Sequence, residues 1–321
     1  MDCHSQTNST IRFLTNGSPK SKAQKPDWLR IKYSENTSSH HIAELGMKYN
    51  LHSVCQSAHC PNRSECWNQG TATFMVMGDE CTRGCRFCSV KTNLTPPPLD
   101  PDEPKNLARA ISTMNLRYVV VTSVARDDLQ DEGSNHFAEC IRQLKKIDPK
   151  LLVEVLVPDF KAKKDLIQNI VDAKPDVVSH NIETVERLSP KVRDMRAKYR
   201  QTLEALKLYR EISNGKIITK SGLMVGFGET KEEVEGTLRD LDAAGVEIVT
   251  IGQYLQPTTK ARHLPVMEYV KPEQFEKYEK MAYEIGFKYV ASGPLVRSSY
   301  KAAEPFIEKI IFSRQSPATV Y

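Results

Sequence analysis

An α/β fold on a parallel sheet is the class this sequence predicts, and three observations predict it. Apolar, β-branched runs recur along the chain, amphipathic stretches of helical length separate them, and polar residues gather at the same end of one run after another. Near-continuous apolar runs belong to strands covered on both faces, and helices do the covering in a parallel sheet. The runs are FMVMG at 74–78, YVVVTSV at 118–124, LLVEVLV at 151–157, DVVSHNIE at 176–183, SGLMVGF at 221–227 and VEIVTIGQY at 246–254, with a shorter KYVASGP from Lys288. Helical spacing is predicted over 106–114, 135–147, 163–172, 200–212, 231–244 and 272–285, with a short helix over 40–50. Strands of an open sheet and strands of a barrel read alike at this level.

The 321 residues suffice for one large α/β domain with extensions or for two smaller domains. A hydrophobic fraction of 40% and a charged fraction of 26% are ordinary for a globular protein. No apolar run approaches the roughly 20 residues that span a bilayer, which argues against a membrane protein. The formal charge of +5 comes without a dense Lys/Arg block, which argues against a nucleic-acid partner but is consistent with an acidic one. The first residues lack the apolar stretch of a secretory signal. They are rich in Ser, Thr and Asn and read as a disordered tail over 1–26. A mitochondrial presequence shares that bias but should be Arg-rich, and only Arg12 precedes Arg30. The expected compartment is therefore the cytoplasm, with the mitochondrial matrix as the alternative.

Polar residues close several runs: Thr122, Ser123, Arg126 and Asp127 after one, Ser179, His180, Asn181 and Glu183 at another, Gln253 and Tyr254 at a third. Any one of them can cap a helix or start a turn. Together they mark a single face, and carboxyl strand ends carry the site in parallel α/β folds. The turn around Gly226, Phe227, Gly228 and Glu229 could bring backbone close to a ligand or could be a tight βα turn.

Six of the eight cysteines fall within 55–88, in two triplets. The second, CTRGCRFC at 81–88, has the spacing C-x3-C-x2-C and directly follows a predicted strand. Three thiolates in one loop can hold an iron–sulfur cube and leave one iron open for a small molecule. Structural zinc prefers paired C-x2-C elements or a His ligand, and three thiols in a reducing compartment do not suggest disulfides. The first triplet, CQSAHCPNRSEC at 55–66, fits no common zinc or ferredoxin spacing. A second cluster is its natural reading, and His59 is either a fourth ligand or a surface residue. Cys3 and Cys140 receive no role.

With Phe87 before its last cysteine, the loop at 81–88 resembles the signature of the radical S-adenosylmethionine (SAM) superfamily. C-x4-C-x5-C followed by C-x3-C-x2-C resembles the lipoyl synthase family in particular. The likeness extends to ECW at 65–67, GTATFM at 70–75, VTSVARDDL at 121–129, HNIETV at 180–185, GLMVGFGE at 222–229, GQYLQP at 252–257 and GPLVRSSY at 293–300, and covers about 25–302. It implies a partial (β/α)6 TIM-like barrel over 73–292, flanked by an N-terminal extension over 27–72 and a C-terminal extension over 293–321. It also implies two 4Fe–4S clusters and S-adenosylmethionine. Cys81, Cys85 and Cys88 would hold the cluster that cleaves the cofactor to a 5′-deoxyadenosyl radical. Cys55, Cys60, Cys66 and the oxygen of Ser299 would hold an auxiliary cluster that gives up its sulfur. Asn181, Glu183, Phe87 and Arg297 would contact S-adenosylmethionine.

The implied reaction inserts two sulfur atoms at C6 and C8 of a protein-bound octanoyl group. Those carbons carry no acidic hydrogen, so side-chain acid–base chemistry cannot open them. The implied partners are octanoylated lipoyl carrier domains, such as 2-oxoacid dehydrogenase E2 subunits and the glycine cleavage H protein. A reductant such as flavodoxin or ferredoxin and a cluster-assembly carrier complete the set. Rival readings are another two-cluster sulfur-inserting enzyme, a zinc- or iron-binding interaction module, and an inactive carrier-binding relative. The resemblance further implies that both clusters face one cavity, with the two extensions closing over it from opposite sides.

Overall fold

A computed structural model of the chain describes residues 25–30, 44–54, 73–114, 116–299, 307 and 310. In chain order its regular elements are β1 (His52–Ser53), β2 (Thr73–Val76), β3 (Glu80–Cys81), β4 (Lys91–Thr92), α1 (Glu103–Met114), β5 (Tyr118–Ser123), α2 (Ser134–Ile147), β6 (Leu152–Leu156), α3 (Lys164–Asp172), β7 (Val177–Ser179), α4 (Ser189–Val192), α5 (Tyr199–Ile212), β8 (Ile218–Val225), α6 (Lys231–Ala243), β9 (Ile248–Gln253), α7 (Pro272–Ile285) and β10 (Tyr289–Gly293). One eight-stranded sheet has the order β1-β2-β5-β6-β7-β8-β9-β10, and β3 and β4 form a separate pair. Apart from the antiparallel β1–β2 pair, every neighbour in the large sheet is parallel. The six apolar runs each form a strand as expected, and Tyr289–Gly293 adds a seventh parallel strand beside β9. Within the stretch 40–50, residues 44–48 are helical. Helix α1 starts at Glu103 instead of Asn106, because Pro104 fits a first turn where no N–H needs a partner.

Strand alternation sorts side chains to two sides. Val119 and Val121 of β5 pack outward with Val153 and Val155 of β6 against Leu107 and Ile111 of α1 and Phe137, Ile141 and Leu144 of α2. A second outer core sets Val249, Ile251 and Val290 against Leu238, Leu241, Phe275 and Ala282 of α6 and α7. A capping box fixes the start of α6: Thr230 Oγ1 accepts from Glu233 N–H at 3.3 Å, and the Glu233 carboxylate accepts from Thr230 N–H at 2.8 Å.

The inward residues form layers along the barrel. At the amino ends of the strands, Tyr118, Val177, Ile218 and Ile248 enclose the fully buried Ile307 from the C-terminal extension. Above them Lys220 Nζ lies 2.8 and 3.0 Å from the two carboxylate oxygens of Glu154, and the Tyr118 hydroxyl donates to the same carboxylate. Lys220 and Glu154 are 1% and 2% exposed, so neither charge has water to fall back on. Replacing Lys220 by Met strands the Glu154 charge and should destabilise the fold by about 3–5 kcal/mol in urea unfolding. Adding Glu154→Gln should recover part of that loss; a double variant no more stable than the single would show that packing, and not charge, sets the effect.

Candidate active site

Above the Glu154–Lys220 layer, at the carboxyl ends of the strands, the barrel opens into a cavity of about 480 Å³. Cys81, Cys85 and Cys88 all line it, from the last residue of β3 and the loop that follows. The three thiols are free and half-buried. Backbone N–H groups of Arg83 and Ala125 point at Cys81 Sγ from 3.4 and 3.3 Å, and that of Asp194 points at Cys85 Sγ from 3.3 Å. Burial pushes the Cys85 thiol up to about 11 and the Cys88 thiol up to about 12. Thiols placed this way lose their protons to a bound metal and not to water. Three sulfurs converging on one space, with N–H donors already aimed at two of them, fit an iron–sulfur cluster.

The loop is locked from beneath. Arg83, 7% exposed, donates from Nε and Nη2 to Asp127 at 3.0 and 2.9 Å and from Nη1 and Nη2 to Asp159 at 2.7 and 2.9 Å. Asp127 follows β5 and Asp159 follows β6, so one guanidinium ties the loop to two strand ends. Burial alone would raise both carboxyls, but Arg83 holds each below the usual carboxylate range. On the other side, Asp194 accepts from Gly84 N–H at 2.8 Å and from Arg196 Nε at 2.8 Å. Arg262 Nη2 donates to the Cys88 and Val90 carbonyls, and His263 Nε2 lies 3.0 Å from the Cys88 carbonyl oxygen.

The opposite wall carries polar groups left incomplete. Asn181 Oδ1 and Arg193 Nε are buried without a hydrogen-bond partner. Burial pushes Glu183 up to about 6 against the pull of Arg193. Its backbone is held at φ 67° by bonds from Glu183 N–H to the Gly222 carbonyl and from Met224 N–H to the Glu183 carbonyl, at 3.0 and 2.9 Å. A Cβ on Gly222 would stand 2.7 Å from Asn181 Oδ1, and one on Gly252 would stand 2.2 Å from the Val296 carbonyl oxygen. Gly252 is therefore required by close approach of backbone, whereas a side chain at Gly222 would displace Asn181. Incomplete donors and acceptors beside a cradle without Cβ atoms fit a polar cofactor such as S-adenosylmethionine.

The structure brings Asn181, Glu183, Phe87, Arg297 and Ser299 to the same cavity as the three cysteines. Arg297 Nη1 donates to the Val296 carbonyl at 2.7 Å. Burial and the Arg297 charge hold the Lys25 ammonium below the usual lysine range, which places Lys25, the first described residue, near Arg297. Cys55, Cys60, Cys66, His59 and Cys3 lie outside the described residues, but Val54, the residue before Cys55, lines the cavity. Thr122 and Ser123 line it as expected. Arg126 and Asp127 do not: Arg126 turns to Asp128 at 2.8 and 2.9 Å, and Asp127 is taken by Arg83. The turn 226–229 also stays out of the cavity. It is a tight turn, with Gly226 and Gly228 at φ 110° and 97° and Glu229 accepting from Gly226 and Phe227 N–H groups.

Cys140, fully buried in α2, lies with Glu103 and His136 so that their donor atoms fall within 4.8 Å of one another. Glu103 already accepts from Met77 N–H at 2.8 Å and bonds His136 Nε2 at 2.7 Å, which joins α1 to α2. Sequence reading missed Arg83, Asp159, Arg193, Asp194 and the Arg262–His263 pair. Asp159 carried the same signal as the others, a polar residue after an apolar run; Arg193, Arg262 and His263 carried none.

Residues 75–241 match the Radical SAM superfamily. A lipoyl synthase of Anaeromyxobacter sp. (strain Fw109-5) is 55% identical over 293 residues, covering 91% of this chain and 98% of its own. The mitochondrial lipoyl synthase of Culex quinquefasciatus is 53% identical over 298 residues, covering 91% of this chain and 78% of its own. Among solved structures, methylornithine synthase aligns with a TM-score of 0.51 at 11% identity, over 88% of each chain. A maturase of the FeFe-hydrogenase aligns with a TM-score of 0.52 at 11% identity, over 79% of this chain and 68% of its own. At such identity these two share the fold alone.

A carboxyl held above its unfolded value of about 4.3 opposes folding once ionised. For Glu183 that penalty is absent below about pH 4 and complete above about pH 6. Glu183→Gln should therefore stabilise the cluster-free protein by about 2 kcal/mol at pH 8 and by nothing at pH 4. Equal urea midpoints at pH 8 would show that the carboxyl is not held up by its site.

Proposed function

This chain belongs to the lipoyl synthase family of the radical SAM superfamily, and from that premise we propose how its residues divide the work. The activity is insertion of two sulfur atoms at C6 and C8 of an octanoyl group carried on a protein. One observation supports the assignment most: three free thiols share a single cavity with Asn181, Glu183, Arg193 and Ser299, while Val54 leads into the other triplet from the same wall.

Cys81, Cys85 and Cys88 would hold one 4Fe–4S cluster and leave an iron open. Cys55, Cys60, Cys66 and Ser299 would hold a second, which is the source of the inserted sulfur. Bound there with S-adenosylmethionine, the first cluster supplies hydrogen abstraction at unactivated carbon. The protein's own part is to bind, orient and keep water out. Arg193 offers an unpaired Nε to the cofactor's carboxylate, and Glu183 and Asn181 offer acceptors to its hydroxyl groups. Phe87 lies along the cavity beside the cluster loop, and Arg297 offers a second cation from the C-terminal side. Leu156, Leu223, Leu255 and Val296 give the acyl chain an apolar wall, which excludes water from reactive species.

Among the described residues no helix is long and apolar enough to cross a membrane. The partners are octanoylated carrier domains, such as E2 subunits and the H protein, a one-electron donor of the flavodoxin or ferredoxin type, and a cluster-assembly carrier. The compartment is a reducing one, the cytoplasm, with the mitochondrial matrix as the alternative. Anaerobic reconstitution with iron and sulfide, followed by S-adenosylmethionine, dithionite and an octanoylated carrier domain, tests the reading. The carrier should gain two sulfurs by mass, with 5′-deoxyadenosine released. Cys55→Ala should still release 5′-deoxyadenosine but insert no sulfur. Deoxyadenosine without sulfur from the wild type would point to another substrate, and neither product from a protein holding both clusters would end the proposal.

A further inference from the structure

Thr202 stands in the first turn of α5 with none of its surface exposed. Its hydroxyl oxygen lies 2.8 Å from Arg193 Nη1 and 3.1 Å from His180 Nε2. His180 follows β7, is itself buried, and places Nδ1 2.8 Å from the Val157 carbonyl oxygen.

Chemistry fixes the direction of two of the three bonds in this chain, and a neutral imidazole fixes the third. A carbonyl only accepts, so His180 Nδ1 carries the ring proton. A guanidinium only donates, so the Thr202 oxygen accepts from Arg193. The one hydroxyl proton of Thr202 is then free for His180 Nε2, which accepts it when the ring is neutral and Nε2 is bare. The order reads Arg193 to Thr202 to His180 to the Val157 carbonyl, with the imidazole neutral. Burial, with Arg193 and Arg83 nearby, pushes the imidazole down to about 4, while Asp159 pulls the other way without prevailing. At neutral pH the ring is therefore uncharged and its tautomer is set.

Arg193 needs such support. It is 6% exposed and forms no ion pair with a carboxylate within 4 Å among the described residues. Its remaining side-chain hydrogen bond is a long one, 3.4 Å, from Nη1 to the Ile182 carbonyl, while the Glu183 carboxyl attracts it through space without bonding it. Nε is buried without a hydrogen-bond partner, and the residue lines the cavity. A long, flexible side chain held through one nitrogen, with another nitrogen left open, is oriented by whatever grips the first.

We propose that Thr202 and His180 are positioning residues that aim the Arg193 guanidinium at the carboxylate of S-adenosylmethionine. This rests on the role given to Arg193 in the proposed function. The relay ties that role to β7 and α5, two elements that do not carry the cluster cysteines.

Equilibrium dialysis of labelled S-adenosylmethionine against the reconstituted enzyme, with steady-state kinetics of deoxyadenosine release alongside, tests it. Thr202→Val keeps the shape and removes the hydroxyl. The dissociation constant and KM should rise about tenfold, the size of one charge-assisted hydrogen bond, while kcat at saturation holds within about twofold. Thr202→Ser should restore both. Nitrogen NMR of the His180 ring should show Nδ1 protonated and Nε2 bare in the wild type. Unchanged binding in Thr202→Val, or the opposite tautomer, would overturn the relay. Loss of iron together with binding would make Thr202 a packing residue and overturn it equally. A wild-type enzyme that holds its cluster but binds no S-adenosylmethionine would instead sink the reading of the cavity itself.

Discussion

Arg83 sits between two of the three clustered cysteines, and its clamp on Asp127 and Asp159 is the interaction on which the site depends. A loop that must present three sulfurs to one point cannot rely on ladder hydrogen bonds for its shape. Four charge-assisted bonds from one planar group supply that shape instead. Two carboxylates on one guanidinium would leave a net negative charge in the interior. Lys161 and Arg196, 3.7 Å from Asp127, offset it. The chain accepts strain to keep Asp159 in place: Phe160, Lys161 and Ala162 take φ of 45°, 50° and 54°, a run that disfavours L-residues by about 1–2 kcal/mol each. The Asp159 carboxylate receives the Lys161 N–H at 3.0 Å, so the group that holds the loop also holds the strained turn.

The barrel interior is divided by what its polar groups lack. At mid-height the Glu154, Lys220 and Tyr118 groups bond one another, and none of their atoms is left buried without a partner. At the carboxyl end Asn181 Oδ1 and Arg193 Nε are buried and unmatched. A buried polar atom without a partner disfavours the folded state unless something arrives to complete it. These two atoms belong to residues that line the cavity beside the cysteines, where a charged and hydroxylated cofactor would complete them. The paired layer beneath gives that end a rigid floor, and Ile307 closes the barrel below the floor.

The strands and helices were legible because burial imposes period and composition directly on the sequence. The run YVVVTS reads as a strand from its β-branched residues, and Phe137, Ile141 and Leu144 announce the buried stripe of α2. The cysteine loop was legible because its three thiols lie within eight residues, where covalent spacing alone brings sulfurs together. Arg126 misled because a polar residue after a strand can turn either way, and here it turns back to Asp128 two positions on. The glycine turn at 226–229 read as either a ligand approach or a tight βα turn, because a positive φ serves both, and the structure shows the turn.

What the sequence determined by itself is therefore the local chemistry: strand-forming runs, the C-x3-C-x2-C loop, and Asn181 and Glu183 at a strand end. Tertiary structure decided the partners. Arg83 meets Asp159 across 76 positions, His263 meets the Cys88 carbonyl across 175, and Arg193 reaches the cavity from a segment with no motif at all. The reason is physical. A set of thiols close in sequence is specified by bond lengths and turn geometry, whereas a charge in a loop acquires its partner only after the sheet has closed and set which strand ends are neighbours.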